Sequence, residues 1–481
     1  MKIRIPVAAL AAALAVTGAA SARTDAAPAR RYVVAFAQTS GLPADAAQLV
    51  AAAGGTITTS MPQIGGVRAT SSNADFTAAL LRSSEVAAAD VESASRLLAR
   101  DDGSGSAPRA RRGATTPGGM DPLYGQQWDK LRLDATPGGS YGVERGRRDV
   151  VVAVLDSGAD LAHPDVAPNL DTARSRSFVP SEPDLQDHDG HGTWVLSTIG
   201  APINGIGVSG VAPDVTTVAL KVLDANGVGT SSAVAQALVY AGQSHFDVAA
   251  MSIGIYLDSK SDKAEITLVQ RAVDFARRNG VLPIASVDND NLDLSDSKVM
   301  GQTVELPADL DGVVGVSATG YANQKAYYSN YGSKEVDVAA PGGDKRFQLP
   351  PASYRGGGRL LGAWTAETAS TLDPSLVEQD CEPGKGCATY AWEQGTSMAA
   401  PQAAGVAALI ASRYGHMSPS ALESRLEASA VPDRCPSPPT VTYDLPPGLF
   451  AFDTATCKGK PDSNSFYGAG IVNALRAVTA G

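Results

Sequence analysis

Apolar residues fall into two patterns along this chain. Mostly apolar runs recur at 150–155, 215–222, 248–253, 281–285 and 313–317. Between them, 232–240 and 264–279 repeat their apolar residues at the three-to-four interval of a helix. Buried strands alternating with helices predict an α/β fold with a mostly parallel sheet and helices on both faces. Function then gathers at the carboxyl ends of the strands. The chain before 100 reads differently. Residues 31–37 (RYVVAFA) and 85–90 predict strands, and 44–53 and 72–81 predict helices, a small α+β unit.

The boundaries follow from composition. Lys2 and Arg4 precede an apolar run over 6–16, and Ala20-Ser21-Ala22 forms an A-x-A pattern. This is the form of a secretory signal peptide over 1–22. The run is too short for a membrane anchor, so a secreted, extracellular protein free of the membrane after signal removal is expected. Residues 101–119 (DDGSGSAPRARRGATTPGG) read as a linker, with an exposed basic cluster at 109–112 open either to proteolytic nicking or simply to solvent. That leaves 23–100 as the small unit and 120–481 as the main domain. A net charge of −11 argues against nucleic acid as a partner. The four cysteines fit an exported chain with two disulfides in one of three pairings, and proximity favours Cys381–Cys387 with Cys435–Cys457.

The chemistry begins at 393–401 (EQGTSMAAP), ahead of an alanine-rich helix. Ser397 suits an N-cap. Pro401 restricts it to the helix mouth, where free N–H groups would also favour an anion. A nucleophilic serine needs a base, and the base an orienting acid. Asp156 ends the apolar run 150–155, where an acid could orient a histidine or merely serve a turn. His191 lies in 187–193 (DHDGHGT) with glycine on both sides. A metal reading of His188, Asp189 and His191 lacks the H-E-x-x-H pattern and a third ligand group, so no metal is assigned there.

VAVLDSG, DHDGHGT and GTSMAAP in this order resemble the subtilisin-like serine protease family. The stretches 204–212, 218–223, 336–342 and 467–473 resemble that family too, so the likeness runs from about 121 to the end. Residues 31–98 resemble, more loosely, the inhibitory pro-peptide that precedes such enzymes. The resemblance implies a serine endopeptidase made as a pro-peptide-inhibited precursor. It implies protein or peptide as the substrate and the enzyme's own pro-peptide as the inhibitor, and a monomer is expected. It implies Ser397 as nucleophile, His191 as general base and Asp156 as its orienting acid. Asn289, just past the run 281–285, corresponds to the family's side-chain oxyanion donor. Ser252-Ile253-Gly254 corresponds to the edge that pairs with substrate backbone, although a plain core strand end would read the same. No cofactor is required, and the family opens the option of structural calcium. Residues 288–296 (DNDNLDLSD) fail the EF-hand spacing and read as a solvated acidic loop.

Two departures from the pattern stand out. Asp288 replaces a glycine before Asn289, which implies either a preference for a basic residue before the cut or a crowded site. Trp194 replaces a common histidine. Together they leave room for an alternative, a catalytically impaired relative acting as a binding module. The long segments 343–392 and 432–465 read as disulfide-stapled surface insertions that shape the cleft or resist proteolysis.

Overall fold

The computed structural model describes residues 28–96, 110–112, 119–347, 356–382, 386–445 and 448–480. The signal segment and most of 97–118 lie outside these. The N-terminal unit is a four-stranded antiparallel sheet, ordered Gly55–Met61, Gly66–Ser71, Arg30–Phe36, Val86–Val91, with helices Ala46–Ala52 and Phe76–Leu80. Strand Arg30–Phe36 is buried on both sides, and its alternation divides it between two cores. Tyr32, Val34 and Phe36 pack on the unit's own helices. Val33 and Ala35 join Met61 and Ile64 against Leu268, Val269 and Ala272 of the long helix Lys263–Arg278 in the main domain.

The main domain is built on a seven-stranded parallel sheet. Its order is Val338–Pro341, Val314–Thr319, Leu282–Ser286, Val248–Met251, Val151–Asp156, Thr216–Lys221 and Arg176–Ser177. Helices Ser231–Gln243 and Lys263–Arg278 cover one face. Helices His191–Gly200, Thr396–Tyr414, Pro419–Ser429 and Ala474–Thr479 cover the other. The predicted doubly covered parallel sheet is therefore present, and the apolar runs are its buried central strands. In these two sheets, four strands were not anticipated. Gly55–Met61 alternates exposed and half-buried positions rich in threonine, and Gly66–Ser71 carries glycine and arginine. Arg176–Ser177 is two residues long, and Val338–Pro341 was marked only by family likeness.

Both disulfides pair as proximity favours, Cys381–Cys387 and Cys435–Cys457. The first insertion forms a second sheet, ordered Leu360–Ala363, Gly386–Glu393, Val377–Glu382 and Ala110–Arg112. The end of the basic linker cluster is thus an edge strand held by backbone pairing, not a free loop.

Candidate active site

Asp156 closes strand Val151–Asp156 and is buried. Its carboxylate takes the N–H of Ser157 at 2.7 Å. The Nδ1 of His191 lies 2.9 Å from Oδ1 and 3.0 Å from Oδ2 of the same carboxylate. Aspartate at the sheet's carboxyl edge and histidine at the first residue of its helix thus meet across 35 residues of chain. What holds them together was not anticipated from sequence. Asp187 accepts from the Ser157 hydroxyl at 2.9 Å and from the N–H and hydroxyl of Thr193 at 2.8 and 2.6 Å. The Ser157 oxygen in turn accepts from Gly192 N–H at 2.9 Å. A Cβ on Gly192 would lie 2.4 Å from the carbonyl oxygen of Gly158, so only glycine permits this approach. The DHDGHGT motif contained the signal: its first aspartate is a buried clamp. Burial by itself would push the His191 imidazole down, but the Asp156 carboxylate outweighs it, and with Asp189 and Glu393 the pKa rises to about 9.

Ser397 lies in the first turn of helix Thr396–Tyr414, whose N-cap is Gly395. The expected capping role therefore belongs to the glycine, and the Ser397 hydroxyl is released from it. Pro401 sits inside the helix rather than at its mouth. The Ser397 hydroxyl donates to the carbonyl of Ser252 at 3.2 Å. The Ser252 hydroxyl donates to the carbonyl of Ser397 at 2.8 Å. The oxygen of the Asn289 amide accepts from the Thr396 N–H at 2.8 Å and its hydroxyl at 3.1 Å. Asn289 is thereby tied to the residue beside Ser397, with its carboxamide nitrogen 3.4 Å from Asp288 Oδ1. Ile253 is core as well as edge: it packs with helix Ser231–Gln243.

Asp288 has a φ of 69°, which explains why glycine suits this position. Its Oδ1 accepts the Asn289 N–H at 2.8 Å. The acidic loop that follows is packed, not solvated: Asn291, Asp293 and Leu294 are buried. Its carboxylates are engaged by protein donors. Asp290 takes the Tyr256 hydroxyl, Asp293 takes Lys458 and Ser295, and Asp296 caps a helical turn. This donor set does not fit a calcium cage.

The insertion 343–392 is anchored on the His191 helix. Trp194 is fully buried against Leu360 and Trp364, and its Nε1 donates to Ala391 O at 3.1 Å. Glu367 pairs with His188 at 2.8 Å, and Thr368 donates to the Asp189 carbonyl at 2.6 Å. The tryptophan that departs from the motif is the seat of the inserted sheet. A further edge was missed: strand Val228–Thr230 pairs antiparallel with Ala94–Arg96, the tail of the N-terminal unit. Three residues after a turn are too short for the periodicity to reveal.

The subtilase family model matches residues 147–470. The chain belongs to the subtilase family. It is 36% identical to subtilisin of Bacillus pumilus over 283 residues, 59% of this chain and 84% of that one. Alignment with subtilisin NAT of Bacillus subtilis subsp. natto spans 60% of that protein's length. Among solved structures, a lanthipeptide protease is similar with a TM-score of 0.57 and 30% identity, over 73% of this chain and 93% of that one. The epidermin leader peptide processing serine protease from Staphylococcus aureus has a TM-score of 0.69 over 94% of this chain and 98% of that one. At 22% identity, that likeness speaks for the fold, N-terminal unit included. This subtilase is a serine endopeptidase of the subtilisin type.

Proposed function

We propose that this subtilase cuts peptide bonds through Ser397, His191 and Asp156, and that it is made as a secreted precursor restrained by its own N-terminal unit. The observation that carries the reading is the Asp156–His191 hydrogen bond of 2.9 Å, together with the placement of Ser397 in the first turn of helix Thr396–Tyr414. The Ser397 hydroxyl turns from the Ser252 carbonyl to His191 Nε2 and attacks the scissile carbonyl carbon. His191 takes the proton and Asp156 stabilises the imidazolium. The carbonyl π electrons move onto oxygen, where Asn289 N–H donates. Collapse expels the amine, which receives the proton from His191, and leaves an ester on Ser397. Water repeats the sequence to release the acid. These groups supply all the chemistry, so no cofactor is assigned.

Restraint is supported by the pairing of Ala94–Arg96 with Val228–Thr230, an extended segment added to a free edge as a substrate would be. Among the described residues no helix is long and apolar enough to cross a membrane. Export and a monomeric state are part of the proposal, and the signal segment carries the first. A dedicated processing role, in place of broad digestion, is favoured by the insertion seated on the His191 helix.

The test is expression of the full chain beside Ser397→Ala, with intact mass and N-terminal sequencing. Loss of the N-terminal unit from the unmodified chain alone is expected. Two full-length, inactive products would return the protein to the binding-module reading. Rapid digestion of casein would count against the dedicated role.

A further inference from the structure

Glu305 is 0% exposed, and its carboxylate oxygens make no well-formed hydrogen bond, with only the backbone N–H of Ala308 lending weak support. A buried carboxylate in that condition is costly and calls for a proton or a cation. Glu305 lies on strand Thr303–Leu306, which pairs antiparallel with Ile255–Asp258 and sets it opposite Tyr256. A Cβ built on Gly254 would be 2.7 Å from Asp288 Oδ2 and 2.8 Å from Glu305 Oε1. Two carboxylates from separate segments therefore converge on one point beside Gly254. Among the described residues, no lysine or arginine forms an ion pair with either of them.

That point adjoins the chemistry on two sides. Asp288 directly precedes Asn289, which is bonded to Thr396. Gly254 is two residues past Ser252, which is bonded to Ser397. A side chain entering here, between the segments of Asn289 and Ser252, would be that of the residue whose carbonyl faces Ser397. We propose that Asp288 and Glu305 form the floor of the pocket for that residue and select arginine, then lysine, there. The inference rests on Ser397 being the nucleophile. A guanidinium presents a planar fork of donors to two carboxylates at once, whereas an ammonium is a single point charge. Glutamine, similar in length but neutral, leaves both carboxylates uncompensated.

The test is a panel of peptide 4-nitroanilides identical except for the residue before the cut: Arg, Lys, Gln, Leu, Phe and Glu. The expected order in kcat/KM is Arg, then Lys, with Leu at least about tenfold below Arg, as loss of a desolvated charge pair implies. Glu305→Gln and Asp288→Asn are each expected to lower the Arg-to-Leu ratio by about tenfold or more, whatever the absolute rate. Benzamidine, an amidinium, is expected to compete with substrate in the parent and less well in Glu305→Gln. A preference for Leu or Phe in active enzyme, or a ratio unmoved in both variants, overturns the proposal and leaves the peptidase reading standing. If the chain freed of its N-terminal unit cleaves no peptide, the reading of Ser397 has failed. Benzamidine binding by the full chain, weakened or not in Glu305→Gln, then decides the pocket by itself.

Discussion

The hydroxyl of Ser252 donates to the carbonyl of Ser397 at 2.8 Å, while the hydroxyl of Ser397 donates back to the carbonyl of Ser252 at 3.2 Å. The first bond follows from Pro401, four residues along the helix from Ser397. A residue there would ordinarily give its N–H to the Ser397 carbonyl, and proline has none. Ser252 supplies the missing donor from a neighbouring strand end. Ser252→Ala removes it from a buried carbonyl. It is expected to cost about 1–3 kcal/mol of stability, read by denaturant unfolding of the Ser397→Ala background, where self-digestion is absent.

Asn289→Ala is expected to lower kcat by about 10²–10³, a magnitude that itself comes from a subtilisin oxyanion donor. KM should change little, because the donor serves the developing charge rather than the bound peptide. Asp156→Asn is expected to cost about 10⁴ in kcat by favouring the wrong His191 tautomer. Steady-state kinetics on one peptide checks both, and a large rise in KM without loss of kcat would contradict the assigned roles.

The pH profile tests the His191–Asp156 pair. With its pKa raised to about 9, His191 becomes a free base only on the alkaline side, so kcat/KM should climb through that region. Its effect on stability has the opposite sense. A raised pKa stabilises the fold below the unfolded value near 6.5 and loses that contribution as pH rises through about 9. Asp189→Asn removes one contributor and should move the acidic limb of the profile to lower pH.

The Arg-to-Leu ratio in kcat/KM cancels the His191 limb and reports the pocket alone. Burial, with Asp290 nearby, lifts Asp288 to about 7, and burial with Asp288 and Asp309 lifts Glu305 well above the ordinary carboxylate range. The Tyr256 hydroxyl faces the same group and stays protonated. The ratio is therefore expected to rise as pH increases through about 7, when Asp288 gives up its proton. A flat ratio between pH 6 and 9 would mean that these carboxyls do not meet the substrate.

Release of the N-terminal unit should also depend on pH. Glu265, on the helix that this unit covers, is raised to about 7 by burial, with Glu92 and Asp262 adding to it. The hydroxyl of Ser231 and the N–H of Ser93 pull the other way. Asp90 of the N-terminal unit is raised as well, also by burial. Contact with water on separation favours the ionised form, so affinity between the two parts should fall as pH rises from the ordinary carboxylate range to about 7 and level off above it. Inhibition by the separately expressed unit, measured from pH 5 to 8, checks the sign, and Glu265→Gln should flatten the dependence.

Local sequence determined much of this protein. The apolar runs announced the parallel sheet because a strand buried on both faces must be apolar throughout. Asp156, His191 and Ser397 were legible because each belongs to a short motif whose neighbours set the backbone: glycine beside the histidine, small residues around the serine, an acid at a strand end. Asn289 and Ser252-Ile253-Gly254 were reachable only through family likeness. Tertiary structure decided the rest. Gly395, not Ser397, caps the helix, a matter of backbone angle that composition does not report. Asp187 looked like one more loop aspartate until the fold closed it around Ser157 and Thr193. Trp194 acquired a purpose from strands that follow it by more than 160 residues. Glu305 sits in an ordinary strand segment, and nothing beside it in the chain marks it out. Its meaning comes from Gly254 and Asp288, which strand pairing and a left-handed turn bring to the same point. Motifs record what neighbours along the chain must do for the backbone. A pocket is made by residues far apart in sequence, and its charge exists only once the chain has folded around it.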